Sequence, residues 1–301
     1  MKIALTGATG FVGGHVLRRL QDGGHAIRAL TRRPMRALDR LEWVDGDLAN
    51  RDALAELVAG CDAVIHVAGV LSAPSAAGFT AGNVGGTAAL LDAAATASVG
   101  RFVHVSSLAA REPGLSLYGA SKAQAEARVR MCPVPFAIVR PPAVYGPGDR
   151  ETLDLFRMAQ RRIVLMPPRG RLSLIHVDDL ARLLVALADT RAQADITVEP
   201  DDGRAGGYGH AEFAHLLGTA LRRRVMPVPT PRPLLRLAAR LDRLVRGKEA
   251  KLTPDRVAYF CHPDWVSDPL LAPPFDLWHP AIGAPEGLAA TAHWYRAEHW
   301  L

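Results

Sequence analysis

The chain has 301 residues, 49% hydrophobic and 22% charged, which supplies apolar material for a large packed core and excludes a disordered polymer. Its apolar runs fall far short of the ~20 residues needed to cross a bilayer, and no charged-then-apolar leader precedes Ile3, so the expected location is cytoplasmic with no transmembrane segment. The formal charge of +6 would suit nucleic acid, but no aromatics interleave with the basic residues to stack on bases, and Cys61, Cys132 and Cys261 lack the spacing of a disulfide framework or a thiolate metal site.

Short β-branched runs alternate with longer Ala-, Leu- and Arg-rich stretches through the first half, the pattern of a parallel sheet buried between helices. Strands are predicted over 2–6, 25–30, 41–44, 63–67, 102–106 and 136–140, with helices over 11–21, 51–59, 84–98 and 118–131. Right-handed βα crossovers then give an α/β fold with a doubly wound parallel sheet. After Arg140 the texture turns to Pro- and Gly-rich loops, as expected where chain leaves a sheet to build a substrate site. A strand at 172–175 and a helix from Asp178 are expected to rejoin the sheet. Beyond residue 200 strand signals weaken and prolines recur, which predicts a smaller, mostly helical C-terminal cap. The expected division is therefore 1–145 for the sheet domain, 146–171 for an insertion, 172–200 for the return, and 201–301 for the cap. Within the cap, Leu234, Leu237, Ala238, Leu241, Leu244 and Val245 share one helical face while Arg236, Arg240, Arg243 and Arg246 occupy others. A helix that covers a cleft with a solvated outer face is preferred there over one lying on an anionic membrane. Trp294 and Trp300 read as cap packing.

The first strand runs straight into Thr6-Gly7-Ala8-Thr9-Gly10-Phe11-Val12-Gly13-Gly14, followed by a helix with Val16, Leu17 and Leu20 on one side. Gly7 permits the tight turn, Gly10 lets backbone N–H groups approach a pyrophosphate, and Gly13 lets helix and sheet pack closely. A glycine triplet alone is weak evidence; between first strand and first helix it points strongly to a dinucleotide site, with Thr9, Phe11 and Val12 beside the cofactor. The second strand ends at Leu30, and the next position, where an acidic side chain would grip the ribose hydroxyls of NAD, is Thr31, followed by Arg32 and Arg33. Guanidinium groups bind a 2′-phosphate that a carboxylate would repel, so NADP is the preferred cofactor and NAD the second choice. Arginines that only solvate a loop are the competing reading.

Further along come Asp47-Leu48, then Val64-Ile65-His66-Val67-Ala68-Gly69, Asn83-Val84-Gly85-Gly86-Thr87, Ser106-Ser107 and Tyr118-Gly119-Ala120-Ser121-Lys122. In that order and spacing they resemble the short-chain dehydrogenase/reductase family, specifically its extended branch with NAD-dependent epimerases, dehydratases and hydroxysteroid dehydrogenase-like enzymes. Arg140-Pro-Pro-Ala-Val-Tyr-Gly-Pro-Gly148 and Leu174-Ile-His-Val-Asp-Asp-Leu180 support the extended branch, and the resemblance covers roughly residues 1–190. It implies a Rossmann domain in which Asp47 and Leu48 lie by the adenine and Ala68 and Gly69 line the cofactor. Asn83 is divided evenly between a family structural position and a helix-capping or turn residue. His66 and His104 read as hydrogen-bonded core histidines, and Asp178 or Asp179 as a helix N-cap. No pair of histidines has convincing metal-ligand spacing, so no metal is expected.

Tyr118 and Lys122 stand four apart on a predicted helix, so both reach one cleft. A free phenol titrates near ~10, and a fixed ammonium nearby favours the phenolate; Lys122 is thus the expected activator and Tyr118 the proton donor to a carbonyl oxygen. The resemblance implies the same roles and gives Lys122 a cofactor contact. Ser107 is the expected hydroxyl sharing that oxygen, with Ser106 as fallback. Gly114-Leu-Ser116-Leu-Tyr118 starts like a nucleophile elbow but lacks the second glycine.

Many sugar-nucleotide enzymes of the branch carry an asparagine before Val-Tyr-Gly-Pro, where this chain has Ala143. The expected activity is therefore hydride transfer between nicotinamide and a carbonyl or secondary alcohol of an apolar small molecule, with Ser107 and Tyr145 at the substrate. A nucleotide-sugar epimerase or dehydratase and a non-catalytic NAD(P)-binding scaffold or sensor are the alternatives. No nucleic-acid partner is expected, peripheral membrane contact is the lesser reading, and a homodimer stays open.

Overall fold

The computed structural model describes residues 1–36, 38–247 and 253–301. The chain separates into two units: Met1–Pro141, Asp178–Pro200 and Leu271–His279 form the first, and Pro142–Val177, Asp201–Leu270 and Pro280–Leu301 the second.

The first unit is built on β1 (Lys2–Thr6), β2 (Ala26–Thr31), β3 (Leu41–Asp45), β4 (Ala63–His66), β5 (Arg101–Val105) and β6 (Phe136–Val139), close to the expected bounds. Its helices are α1 (Phe11–Asp22), α2 (Arg51–Val58), the short α3 (Ala76–Phe79), α4 (Gly86–Thr96) and α5 (Leu117–Arg130). With β11 (Ile196–Val198) the strands form a seven-stranded sheet in the order β11-β6-β5-β4-β1-β2-β3, every pair parallel. The order reverses beside β1, and ligands of doubly wound sheets bind at the carboxyl ends of the strands at such a switch point. Helices on both faces explain why β4 and β5 are buried along their whole lengths. One core layer joins Leu54 and Leu57 of α2, Leu90 and Leu91 of α4 and Val129 of α5 to Val64, Phe102 and Ile138 of the strands. Removing that much aliphatic surface from water is worth about 1.5–3 kcal/mol per fully buried side chain. Helix α7 (Val177–Leu187) buries Leu180, Leu183 and Leu184, and its Asp178 pairs with His15 of α1.

The strand expected at 172–175 does not rejoin this sheet. It is two short strands, β9 (Arg171–Leu172) and β10 (Leu174–His176), which join separate sheets of the second unit. The returning strand is β11, three residues bounded by Asp195 and Glu199, and that brevity hid it.

In the second unit, β10 pairs with β7 (Ala143–Tyr145), β9 lies between β12 (Tyr208–Gly209) and β14 (Asp264–Trp265), and β8 (Ile163–Met166) pairs with β13 (Met226–Pro229). Helices α6 (Glu151–Gln160), α8 (His210–Ala220), α9 (Arg232–Arg246), α10 (Pro254–Phe260) and α11 (Ala284–Ala297) complete it. Its core gathers Leu153, Phe156, Phe213, Leu217, Leu288 and Tyr295, with Trp294 and Trp300 packed against it. Helix α9 has its own small contact, Ala239 and Leu235 against Val257 and Cys261.

Candidate cofactor and catalytic site

Apart from Tyr145 and its neighbours Ala143, Val144, His176 and Gly283, these groups belong to the first unit. Gly7 takes φ +78°, and a β-carbon there would stand 2.8 Å from the Ala68 amide nitrogen, so this turn accepts only glycine. Gly10 N–H donates to Gly7 O at 2.9 Å, and a β-carbon on Gly13 would lie 1.9 Å from the same oxygen. No side chain caps α1 and its first turn holds no acidic residue. The first N–H groups of a helix lack intrahelical partners, and the macrodipole favours an anion there; bare of a cap and of negative charge, this turn fits a pyrophosphate. Thr9 and Gly10 are exposed at its rim, with Phe11 and Val12 half-buried behind them.

At the end of β2 the buried Thr31 hydroxyl donates to Arg33 O at 2.9 Å and accepts from Arg33 N–H at 3.1 Å. That local turn leaves Arg32 and Arg33 exposed with no carboxylate between them. Asp47 is exposed and accepts from Ala49 N–H at 2.8 Å, while half-buried Leu48 packs against Gly86.

The strand end after β4 is fixed by a buried chain of hydrogen bonds. Thr87 donates to Asn83 O at 2.6 Å, so toward His66 Nε2, 3.0 Å away, it accepts. The proton therefore sits on Nε2, and His66 Nδ1 accepts from Thr6 Oγ1 at 2.7 Å. The Thr6 hydroxyl in turn accepts from Ala68 N–H at 3.2 Å. Burial and then the nearby Lys122 charge push His66 down to about 3, which keeps it neutral. The His104 ring lies 5.4 Å from that of His66 and tilted 33° to it, and among the described residues neither of its ring nitrogens has a hydrogen-bond partner, unlike the expectation for it.

Asn83 neither caps a helix nor closes a turn. It lies in the π-helical stretch Thr80–Gly85, where its side chain accepts from Val70 N–H at 2.6 Å and donates to Val70 O at 3.0 Å and Ser121 Oγ at 2.8 Å. It thereby fastens the loop after Gly69 to α5. A β-carbon on Gly69 would lie 3.2 Å from both Asn83 Oδ1 and Lys122 Nζ, so the ammonium sits directly under this loop.

Helix α5 is capped by Ser116, which accepts from Gly119 N–H at 2.9 Å. Lys122 is 4% exposed and donates from Nζ to Val105 O at 2.9 Å. Burial lowers it to about 8, offset in part by the Glu126 charge one turn on. Tyr118, half-buried, stands one turn before Lys122 with its ring 6.4 Å from Phe79. A β-carbon on Gly119 would fall 2.6 Å from Ala109 O, so only glycine lets α5 approach the short helix Leu108–Arg111 this closely. Ser107 caps that short helix, accepting from Ala109 N–H at 3.2 Å. The Ser106 hydroxyl is committed elsewhere, donating to Glu126 Oε1 at 2.6 Å.

These elements match a known family model, that of the NAD dependent epimerase/dehydratase family, over residues 3–198. The chain belongs to that family. It is accordingly a NAD(P)-dependent oxidoreductase of the extended short-chain dehydrogenase/reductase type. It is 40% identical to ceramide reductase of Caulobacter vibrioides, over 99% of this chain and 96% of that one. It is 28% identical to UDP-glucose 4-epimerase of Vibrio cholerae, over 76% of this chain and 78% of the relative. Among solved structures, MoeE5 in complex with UDP-glucuronic acid and NAD shares the fold with a TM-score of 0.76 at 21% identity, covering 99% of this chain and all of that one.

A cluster of five charged residues in this family member escaped the sequence reading, which met Arg140 only as the start of a motif. Glu126 and Glu199, at 1% and 0% side-chain exposure, share Arg140, whose guanidinium meets Glu126 at 2.7 Å and Glu199 at 3.3 Å. Arg111 adds a bond to Glu199 at 3.1 Å and Arg130 one to Glu126 at 3.0 Å. Burial alone would raise the Glu126 carboxyl, but hydrogen bonds from Arg140 and Ser106 and the two guanidinium charges hold it below the usual carboxylate range. The available signal was Glu126 four residues after Lys122, facing the same way on α5.

Tyr145 differs from the others in its unit. It belongs to the second unit and is 1% exposed in that unit's core, its hydroxyl donating to Gly283 O at 3.5 Å and its ring edge-on to His176.

Proposed function

We propose that this enzyme uses NADP(H) to reduce the keto group of a long-chain, ceramide-like lipid to a secondary alcohol. The observation that carries the reading is the likeness to ceramide reductase across 99% of the chain, because it extends past residues 3–198, where the family model matches, through the rest of the second unit. Ala143, exposed on β7, supports it: a methyl group offers no hydrogen bond to the diphosphate of a nucleotide sugar.

When bound, NADPH supplies the hydride. Tyr118 donates its phenolic proton to the carbonyl oxygen as that oxygen gains charge, and the Ser107 hydroxyl donates to the same atom. Lys122, anchored on Val105 O, holds positive charge one helical turn from Tyr118 and favours the phenolate left behind. Arg32 and Arg33 would hold the 2′-phosphate.

The test is loss of reduced-nicotinamide absorbance with the keto analogue of ceramide, set against UDP-glucose. Consumption of NADPH with the lipid alone is expected; interconversion of UDP-glucose, or no turnover of the lipid, would overturn the reading. Replacing Arg32 and Arg33 together with alanine should weaken NADPH binding while sparing NADH, each lost charge-assisted bond costing about 1.5–3 kcal/mol. Equal losses for both cofactors would refute the assignment of NADP.

A further inference from the structure

Helix α9 turns its leucines outward. Leu234, Leu237, Leu241, Leu244 and Val245 are between 52% and 83% exposed, and at 3.6 residues per turn they share an arc of about 100°. The opposite side of the helix holds Ala239 and Leu235, already packed on Val257 and Cys261 of α10. The expectation that the apolar face would be the covered one is thus reversed: the inward face is small, and the leucine stripe is free of the unit's cores. Arg236 and Arg240 are exposed beside the stripe, and Arg246 pairs with Asp242 at 3.3 Å.

Charge points the same way. The second unit holds 19 Lys and Arg against 13 Asp and Glu, while the first holds 17 of each, so the whole formal surplus of +6 lies in the unit that bears α9. The ribbon that runs into α9 repeats the pattern: Ile163, Leu165 and Met226 are 45–57% exposed, with Met226 paired to Ile163, and exposed Arg161, Arg162 and Arg222 to Arg224 precede its strands. Scattered exposed leucines need no explanation, but a continuous stripe bordered by arginines does.

We propose that α9 is an interfacial helix that docks on an anionic lipid bilayer, its leucine stripe among the acyl chains and Arg236 and Arg240 at the phosphates. A second copy of the chain fits worse. Two-fold pairing of this face would set arginines against arginines, and one helix stripe ~18 Å long supplies much less than the ~800 Å² per partner of a stable dimer. The inference does not rest on the substrate reading, since it concerns adhesion and needs no turnover.

The experiment is flotation of the full-length protein with vesicles of phosphatidylcholine, alone or with one-third phosphatidylglycerol. The protein should float with the anionic vesicles and stay behind with the neutral ones, and added salt should release it. Leu241→Ser with Leu244→Ser, and separately Arg236→Glu with Arg240→Glu, should each reduce binding at least tenfold, since one basic residue at such a surface is worth about fivefold. Both variants should keep wild-type NADPH affinity and unfolding temperature, which shows that they fold. Failure to float, equal binding to both vesicles, or a leucine variant that changes from dimer to monomer in sedimentation would each overturn the proposal.

Discussion

The two units use hydrophobic residues in opposite ways. In the first, equal numbers of acidic and basic side chains surround a sheet whose apolar strands are covered on both faces, and periodicity in the sequence translates directly into burial. In the second, strands of two to four residues and paired helices leave much of the apolar pattern on the surface, and all of the surplus charge is there. The contrast teaches that an apolar helix face identifies a surface in need of a partner without saying whether the partner is the protein itself. In the first unit the apolar faces of α1, α2 and α4 are buried against other elements; the stripe on α9 is exposed.

The largest effect should come from the first unit's chemistry. Tyr118→Phe should lower turnover by about 10²–10⁴ while NADPH affinity holds, because the hydroxyl serves the developing charge and not the nucleotide. Retention of more than about a tenth of the rate would mean that Tyr118 is an ordinary surface residue of α5. Next comes Glu126→Ala, which strips Arg140 of its bidentate partner inside the protein and should cost about 3–5 kcal/mol in urea unfolding. A loss below ~1 kcal/mol would show that the buried ion cluster is dispensable to the fold.

Lys122 provides a pH-dependent test of the same unit. Its folded value is about 8 against 10.5 for the ordinary side chain, so between those values the unfolded chain keeps a proton that the native state has released. Stability must then rise with pH across that window, by up to about 3 kcal/mol from this group. Urea unfolding of the cofactor-free protein at both ends of the window should show that rise in the wild type and its absence in Lys122→Met. A parallel response of the two proteins would contradict the burial of a titrating amine. The smallest effect separates the units most sharply: Leu241→Ser with Leu244→Ser should change stability without lipid by less than ~0.5 kcal/mol each, whereas Leu54→Ala in the first unit should cost about 2–5 kcal/mol. Comparable losses at the two sites would erase the distinction drawn between them.

Legibility followed the same divide. The β1–α1 turn, the edges of β1 to β6, and the four-residue spacing of Tyr118 and Lys122 could be read because each rests on local rules of periodicity and turn chemistry. What could not be read depended on distant partners. Leu271–His279 has no periodic pattern, yet it belongs to the first unit because Leu271 O accepts from Glu199 N–H and Trp278 donates from Nε1 to Asp179 O. Ser173 separates β9 from β10 while its hydroxyl donates to Asp201, a bond invisible until the fold brings the two together. Asn83 was ambiguous for the same reason, its partners Val70 and Ser121 being 13 and 38 residues away.

The three glycines of the β1–α1 turn differ in what enforces them, and this bears on how such chains diverge. Gly7 is closed to other residues by its positive φ and the Ala68 backbone, and Gly13 by the Gly7 carbonyl 1.9 Å from its missing β-carbon, so the protein's own packing imposes both. Gly10 meets the same carbonyl only at 3.3 Å, a contact that a small shift would relieve. A descendant that lost its nucleotide would remain under purifying selection at Gly7 and Gly13 for the sake of folding, while Gly10 would be the first to drift. Of the three, Gly10 alone has neither a positive φ nor a backbone clash to hold it as glycine.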